Sequence, residues 1–399
     1  MKESWTIVLF DGSLKTTPFI NRLAEGLAKK HTVYIIGFND SLKQRVKRVE
    51  YMALGTTQNA FNLLYHSLKI ALMAVFKWGD FNHFFRTLKY IVTKNTERLK
   101  QENFNKALQL IAPDILHIQW PSLLGLCADA IANPKIKTVL SQRGFQSNVR
   151  PFVDAENFSE LQHYYPKIDG FHSVSKEISK VGYKIFHSPN KIDKVVSSGF
   201  DFEKLPFNFN YMKNQNLKLL SIGRPHWVKG YEYALLACAI LKEKNIGFEY
   251  TVVGGEGNEE LQFLVDDLGI KESVRFTGRI SQEKVYEIMR QSDLLLLPSV
   301  IEGLPNIAVE AMAVGLPVIS TKCGGVEELI VDNETGWLVT VRSPEAIAKA
   351  IISFLLLSEE GLEEIRKSAR KTVEAKHDEA QMVGEMEDLY FEVLSLNGR

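Results

Sequence analysis

Short apolar runs alternate with amphipathic segments almost from end to end of this chain, and that alternation constrains its fold more than any other feature. In the first half, Thr6–Phe10, Val33–Phe38, Ile115–Gln119, Thr138–Gln142 and Phe171–Val174 read as strands. In the second, Leu217–Ile222, Tyr250–Val253, Val274–Thr277, Leu294–Leu297, Pro317–Ser320 and Trp337–Val339 do so. These runs show little polar alternation, as expected of parallel sheets covered by helices on both faces. The first helix is signalled by Thr17 as N-cap, Pro18 at the first helical position, and Phe19, Leu23 and Leu27 at helical spacing. Another starts at Ser343-Pro344-Glu345.

At 399 residues the chain suits two domains of about 150–200 residues each. Phe200–Asn216, with Pro206, four Asn and no sustained period, reads as the linker. The expected architecture is α/β, with two Rossmann-like doubly wound domains facing across a cleft. An acceptor domain takes 1–205 and a donor domain 206–377, and a helix at about 378–399 packs back on the first. Ligands of such sheets bind at the carboxyl ends of the strands.

With 45% apolar residues, the chain can build two cores. Lys+Arg and Asp+Glu balance at 48 each, which argues against a nucleic-acid binder. Cys127, Cys238 and Cys323 form no CxxC pair and no metal spacing, consistent with a reducing cytosol. No apolar run approaches the roughly 18 residues of a membrane span, and the N-terminal apolar run reads as a strand, too short for a signal peptide.

The most informative segment is Leu294–Gly315, in which a buried strand ends at Pro298 and a helix begins near Asn306. That helix is apolar nearly all round except for Glu310, and a lone carboxylate there is costly to bury unless strong donors meet it. A Glu reaching solvent or an internal Arg would also satisfy it. Glu302, at the strand mouth, adds a second carboxylate, and such groups suit the vicinal diol of a ribose. The N–H groups of a helix start suit an anionic or polyhydroxyl ligand. In the loop Ser221–Gly230, Gly223 and Gly230 bracket Arg224 and Lys229 at a strand-to-helix turn, where phosphates are gripped. Two cations there can neutralise a diphosphate without a metal, although a loop with two solvated cations has the same sequence. Gly254 lies in a third Gly-rich strand exit, Val252–Gly257, which lacks the full GxGxxG pattern.

Gly223-Arg224, Lys229-Gly230, then VVGGEGN, RFTGR and EGLPNIAVEA resemble, in this order and spacing, the GT4 family of retaining glycosyltransferases, which have the GT-B fold. The resemblance is close over Leu217–Thr340, and Glu302 and Glu310 fit the family's E-x7-E element. It implies that Arg224 and Lys229 hold the donor diphosphate and Glu310 the ribose hydroxyls. Glu302 and the backbone of Gly303, Leu304, Pro305 and Asn306 would contact the transferred sugar, and Arg279 the nucleobase. In the first half, Asp11-Gly12-Ser13 stands where the family has a Gly-rich turn, so Gly12 enters the expected site. Asp114–Gln119 resembles its D-x-x-H-x-H strand, with His117 as an active-site residue and Gln119 where a second His is common. Arg143 belongs to an x-R-G turn, and Ser197–Asp201 matches the element that closes the first domain.

Independently of that resemblance, Phe81, Phe84, Phe85, Leu88, Ile91 and Val92 recur at helical spacing after Asp80 as N-cap. Residues 60–100 hold seven Lys/Arg against Asp80 and Glu97, a local net of +5. Such a segment suits an anionic membrane surface, or else an amphipathic helix with its aromatic face in the core.

The expected reaction is transfer of a sugar from a nucleotide-diphosphate sugar, UDP favoured, to a hydroxyl of a glycan or lipid-linked acceptor. The resemblance implies retention of anomeric configuration; no activated nucleophile is visible, so a same-face substitution is expected in place of a covalent intermediate, with no metal and no cofactor. The expected location is cytoplasmic and peripheral to the inner membrane face. A nucleotide-sugar epimerase and a non-catalytic sugar-nucleotide-binding protein are the alternatives.

Overall fold

The computed structural model describes residues 4–38, 45–56 and 58–396. The chain divides into two compact units. The first holds 1–174, 178–199 and 379–399, and the second 175–177 and 200–378.

In the first unit, seven strands form one parallel sheet in the order β3-β2-β1-β4-β5-β6-β7. They are β1 (Thr6–Phe10), β2 (Thr32–Gly37), β3 (Glu50–Ala53), β4 (Ile115–Ile118), β5 (Lys137–Gln142), β6 (Gly170–Ser173) and β7 (Asp193–Val195). Successive residues of β1 serve opposite faces of the sheet. Ile7 and Leu9 pack toward helix α1 (Pro18–Leu27) and the C-terminal helix Glu379–Ser395. Val8 and Phe10 pack toward Phe104 and Leu108. Those two belong to the third of a run of helices, α2 (Ala60–Trp78), α3 (Phe81–Val92) and α4 (Thr96–Ile111). Thr17 takes the N-cap position of α1 without a side-chain cap bond, so Pro18 carries the start signal.

The second unit repeats the plan with six parallel strands in the order β10-β9-β8-β11-β12-β13. These are β8 (Leu217–Ile222), β9 (Phe248–Val253), β10 (Val274–Thr277), β11 (Leu294–Leu297), β12 (Val318–Thr321) and β13 (Trp337–Val339). All four leucines of β11 are buried. Phe200–Asn216 is strapped to this unit: Phe200 and Leu205 are core residues. Arg370 donates to the carbonyls of Phe202 and Leu205, and Arg366 to that of Asn208. Its irregular sequence reflects side-chain bonding of backbone carbonyls rather than freedom.

One device recurs at the amino ends of both sheets. An aspartate just before a strand accepts a backbone N–H from the neighbouring strand: Asp114 from Thr6 at 2.8 Å, Asp169 from Thr138 at 2.8 Å, and Asp293 from Lys218 at 2.7 Å. Such charge-assisted bonds pin register at strand starts that would otherwise fray. Asp114, the first residue of the D-x-x-H-like strand, has this structural task.

Candidate active site

In the second sheet, the carboxyl ends of β9, β8, β11 and β12 are consecutive neighbours, and the order reverses at β8 and β11. That reversal is where open parallel sheets bind ligands. Gly223 and Arg224 leave β8, Gly254 leaves β9, and Glu302 through Asn306 follow β11.

These loops are latched together. A single helical turn, Trp227–Lys229, ends at Gly230 in the left-handed region (φ +61°). A Cβ on Gly230 would lie 2.2 Å from the Pro298 carbonyl oxygen, so only glycine allows this approach. The Val300 N–H donates to the Val228 carbonyl at 2.7 Å. Lys229 is thereby brought to Glu302: Nζ donates to Oε1 at 2.6 Å, and Ser299 Oγ donates to the same oxygen at 2.8 Å. Behind them, Thr321 Oγ1 donates to the Ser299 carbonyl. The loop after β12 closes on the same place, since a Cβ on Gly324 (φ +70°) would meet the Glu302 carbonyl oxygen at 2.2 Å.

The helix Asn306–Val314 starts directly after Gly303-Leu304-Pro305, with Pro305 at its N-cap and no side-chain cap bond. The Ala308 N–H bonds the Pro305 carbonyl at 3.0 Å, and the N–H groups before it have no acceptor within the helix and lie at the positive end of its dipole. Glu310, one turn further on, is half-buried, and its Oε1 accepts from Gln282 Nε2 at 3.3 Å and Tyr286 Oη at 3.5 Å. Arg224 and Arg279 are exposed on the loops after β8 and β10. Of the candidates here, the structure brings Lys229 and Glu302 into contact and leaves both arginines outside the bonded cluster.

In the first unit, Gly12, His117 and Arg143 come from the ends of β1, β4 and β5, which are adjacent. Gly12 (φ +77°) turns the chain after β1. His117 is fully buried with both ring nitrogens engaged: Nδ1 with Tyr390 Oη at 2.7 Å and Nε2 with Ser141 Oγ at 2.8 Å. Ser141 Oγ also meets His172 Nδ1 at 2.8 Å, and His172 Nε2 meets the Val196 carbonyl at 2.9 Å.

A carbonyl only accepts, so one acceptor orders the whole chain of protons. His172 Nε2 carries a proton and Nδ1 accepts from Ser141. The Ser141 oxygen then accepts from His117 Nε2, and His117 Nδ1 accepts from Tyr390. Ser141 also accepts from Arg143 Nη2 at 2.7 Å, and the same nitrogen donates to Gln119 Oε1 at 2.9 Å. This order holds for two neutral rings, the state that burial favours. Burial lowers the His117 pKa well below its ordinary value, helped by His172 and Arg143. Burial and Arg143 bring His172 down to about 3.

Both His117 nitrogens are thus taken up by Tyr390 and Ser141, and Ser141 links the ring to Arg143. Arg143 is buried over the rings of Phe19 and Trp120, with its pKa lowered to about 10 by desolvation. Asp11 bonds the Trp120 indole N–H, and burial raises its carboxyl to about 6 against the pull of that bond and of Arg143. Sequence reasoning missed Ser141, His172 and Tyr390, which no local motif marks. It also missed Ser299 and Gly324, each within three residues of a strand end and so visible to a search for polar or glycine residues there.

Residues 203–372 match the family described as Glycosyl transferases group 1. Over these 170 of its 399 residues the chain is similar to that family. It is 32% identical over 247 residues to the amylovoran biosynthesis glycosyltransferase AmsK of Erwinia amylovora, covering 59% of this chain and 60% of AmsK. The chain thus spans less than two thirds of that relative. A longer match, 26% over 345 residues, covers 84% of this chain and 85% of the N-acetyl-alpha-D-glucosaminyl L-malate synthase of Bacillus anthracis. Among solved structures, sucrose-phosphate synthase from Thermosynechococcus elongatus superposes with a TM-score of 0.77 at 16% identity, covering 98% of this chain and 100% of that one. Anabaena Alr3699/HepE in complex with UDP and glucose gives 0.70 at 18%, covering 96% and 98%. The chain has the GT-B fold, with two parallel α/β sheets of seven and six strands.

Proposed function

We propose that this chain transfers a sugar from a nucleotide-diphosphate sugar to a hydroxyl of a glycan or lipid-linked acceptor, with retention of anomeric configuration. The observation that carries the reading is the convergence of Lys229, Glu302 and an uncapped helix start on one switch point of the second sheet.

As the glycosidic bond breaks, the diphosphate gains negative charge while the sugar becomes oxocarbenium-like. Lys229, with Arg224 reaching in from its exposed loop, and the first-turn N–H groups are preorganised donors for that charge, which is usually the largest catalytic contribution. Glu302, held by Lys229 and Ser299, presents its carboxylate to the sugar. Glu310 receives the ribose hydroxyls, and the base lies toward Arg279. The leaving phosphate takes the acceptor proton on the face it departs from. The cations supply the neutralisation that a divalent ion supplies elsewhere, so no metal is needed.

UDP is the favoured nucleotide, and the Anabaena neighbour whose structure holds UDP and glucose supports it by likeness of fold. The amylovoran relative supports a role in polysaccharide biosynthesis, where a lipid-linked acceptor would place the enzyme at the inner face of the membrane. A thermal-shift panel of nucleoside diphosphates tests the donor: at 100 times its Kd, the right one adds about 2.7 kcal/mol. Stabilisation by UDP, followed by transfer to a hydroxyl acceptor with a retained anomer by NMR, is the expected result. An inverted anomer, or epimerised sugar from a UDP-sugar alone, overturns the reading.

A further inference from the structure

The helical pair α2 and α3 exposes apolar side chains where a soluble helix carries polar ones. On α2, Phe61, Tyr65, Leu72 and Phe76 lie within about 60° of arc. Phe61 is 83% and Phe76 87% exposed. The buried face of α2, with Leu63, Ser67, Ile70 and Ala74, is on the opposite side, so this helix is apolar on two opposite faces. Such a helix ordinarily has both faces covered. Phe81, Phe85 and Val92 make an equally narrow exposed stripe on α3, with Phe85 63% exposed. The face that α3 buries holds His83 and Thr87 instead. The aromatic stripe is therefore not the core face of its helix.

Polar pins fix this rotation. Asn103 of α4 donates to Ser67 Oγ of α2 at 2.8 Å. His83 of α3 meets Glu102 of α4 at 3.0 Å, and Lys106 holds Asp80, in the turn between α2 and α3, at 2.6 Å. Turning either helix to hide its phenylalanines would bury these partners unpaired. The same pins neutralise: Asp80 is spent on Lys106, and Glu97 pairs with Lys100. Each apolar stripe is flanked on the same side by one lysine, Lys69 on α2 and Lys89 on α3. Among the described residues, neither has a carboxylate partner.

We infer that α2 and α3 are a membrane-docking element that inserts Phe61, Phe76, Phe81 and Phe85 at the interface and sets Lys69 and Lys89 on anionic headgroups. The inference deepens the lipid-linked acceptor reading and rests on it for its purpose, though not for its physics. Aromatic rings beside cations suit the headgroup boundary. Among the described residues, no helix is long and apolar enough to cross a membrane, so contact is peripheral. A two-fold pairing with a second copy would set like-charged flanks against each other and fits less well.

Vesicle co-sedimentation of the full chain tests it. The expected result is pelleting with vesicles of 30% phosphatidylglycerol in phosphatidylcholine, weakened by salt, and little with phosphatidylcholine alone. Each cation contributes about fivefold to partitioning, so K69E/K89E should lower it by about 25-fold or more. F76S/F85S should abolish it. These side chains are exposed, so circular dichroism and UDP-induced stabilisation should be unchanged in both variants. No pelleting, equal pelleting with both vesicle types, or a dimer dispersed by F76S/F85S in sedimentation velocity would each overturn the assignment. Loss of pelleting with UDP binding retained separates this inference from the transferase reading, whose own failure would leave vesicle binding intact.

Discussion

Lys229 Nζ lies 2.6 Å from Glu302 Oε1, so the cation expected to meet the donor diphosphate is held by the carboxylate expected to meet the donor sugar. The two groups are one device: the pair sets the lysine's place while subtracting from its free charge. Replacing Glu302 by Gln keeps the bond geometry and removes the negative charge, which should tighten nucleoside diphosphate binding while turnover falls. Lys229→Ala should weaken diphosphate binding and lower turnover by about 10²-fold or more. Calorimetric Kd values beside kcat check this opposition of sign, and parallel changes in both variants would contradict it.

Arg224 makes no bond in the cluster, yet its exposed loop leaves the same strand end as Lys229. Arg224→Ala should therefore raise KM and lower kcat without changing the melting temperature. Because these cations carry the diphosphate charge, turnover should survive EDTA. Restoration of the Arg224→Ala, Lys229→Ala double variant by Mg²⁺ to full activity would contradict the assignment of the diphosphate site.

Gly324 gives a test of backbone geometry. Its φ of +70° and the 2.2 Å approach to the Glu302 carbonyl leave no room for a methyl group. Gly324→Ala must displace either its own loop or Glu302, and misplacement by about 1 Å can cost about 10²-fold in rate. Turnover should fall more than stability does, as measured by kcat beside the thermal midpoint.

The central strands were legible because burial on both faces leaves them uniformly apolar, as in Leu294–Leu297. The edge strands β3 and β7, sequences EYMA and DKV, were missed: with one neighbour each and no fully buried residue, they need no apolar run. Glu302 and Lys229 could be read as site residues because glycines and a strand end bracket them. Their mutual bond spans 73 residues and could not be read. The same holds for His117: its motif was visible, but its partner Tyr390 lies 273 residues away on the C-terminal helix, and only the fold shows that contact. The phenylalanines of α3 fit a core stripe by periodicity, and it was the pins to α4 that turned the other face inward.

Tyr390→Phe isolates the far end of the buried network. It removes the donor to His117 Nδ1 and leaves a buried acceptor unpaired, at a cost of about 1–3 kcal/mol. The urea midpoint at pH 7 should fall accordingly, with UDP binding by the second unit unaffected.

The same network sets a pH dependence. His172 titrates near 3 when folded against an ordinary 6.5, and His117 is also lowered. Below pH 6.5 the unfolded chain takes up protons that the folded chain refuses, so stability is greatest above that value and declines as the pH falls toward 3. Each such histidine contributes a slope of about 1.4 kcal/mol per pH unit inside the window. Asp11 works the other way. Raised from 3.8 to about 6, it binds a proton in the folded state first, so its ionisation costs stability above pH 6. That cost is relieved between pH 6 and 4, which offsets part of the histidine loss. Asp11→Asn keeps an acceptor for Trp120 and abolishes the offset, so urea midpoints should fall more steeply from pH 6 to 4 than in the parent. His172→Gln should flatten the same profile by about one proton. Unchanged slopes in both variants would mean that protons enter the fold elsewhere.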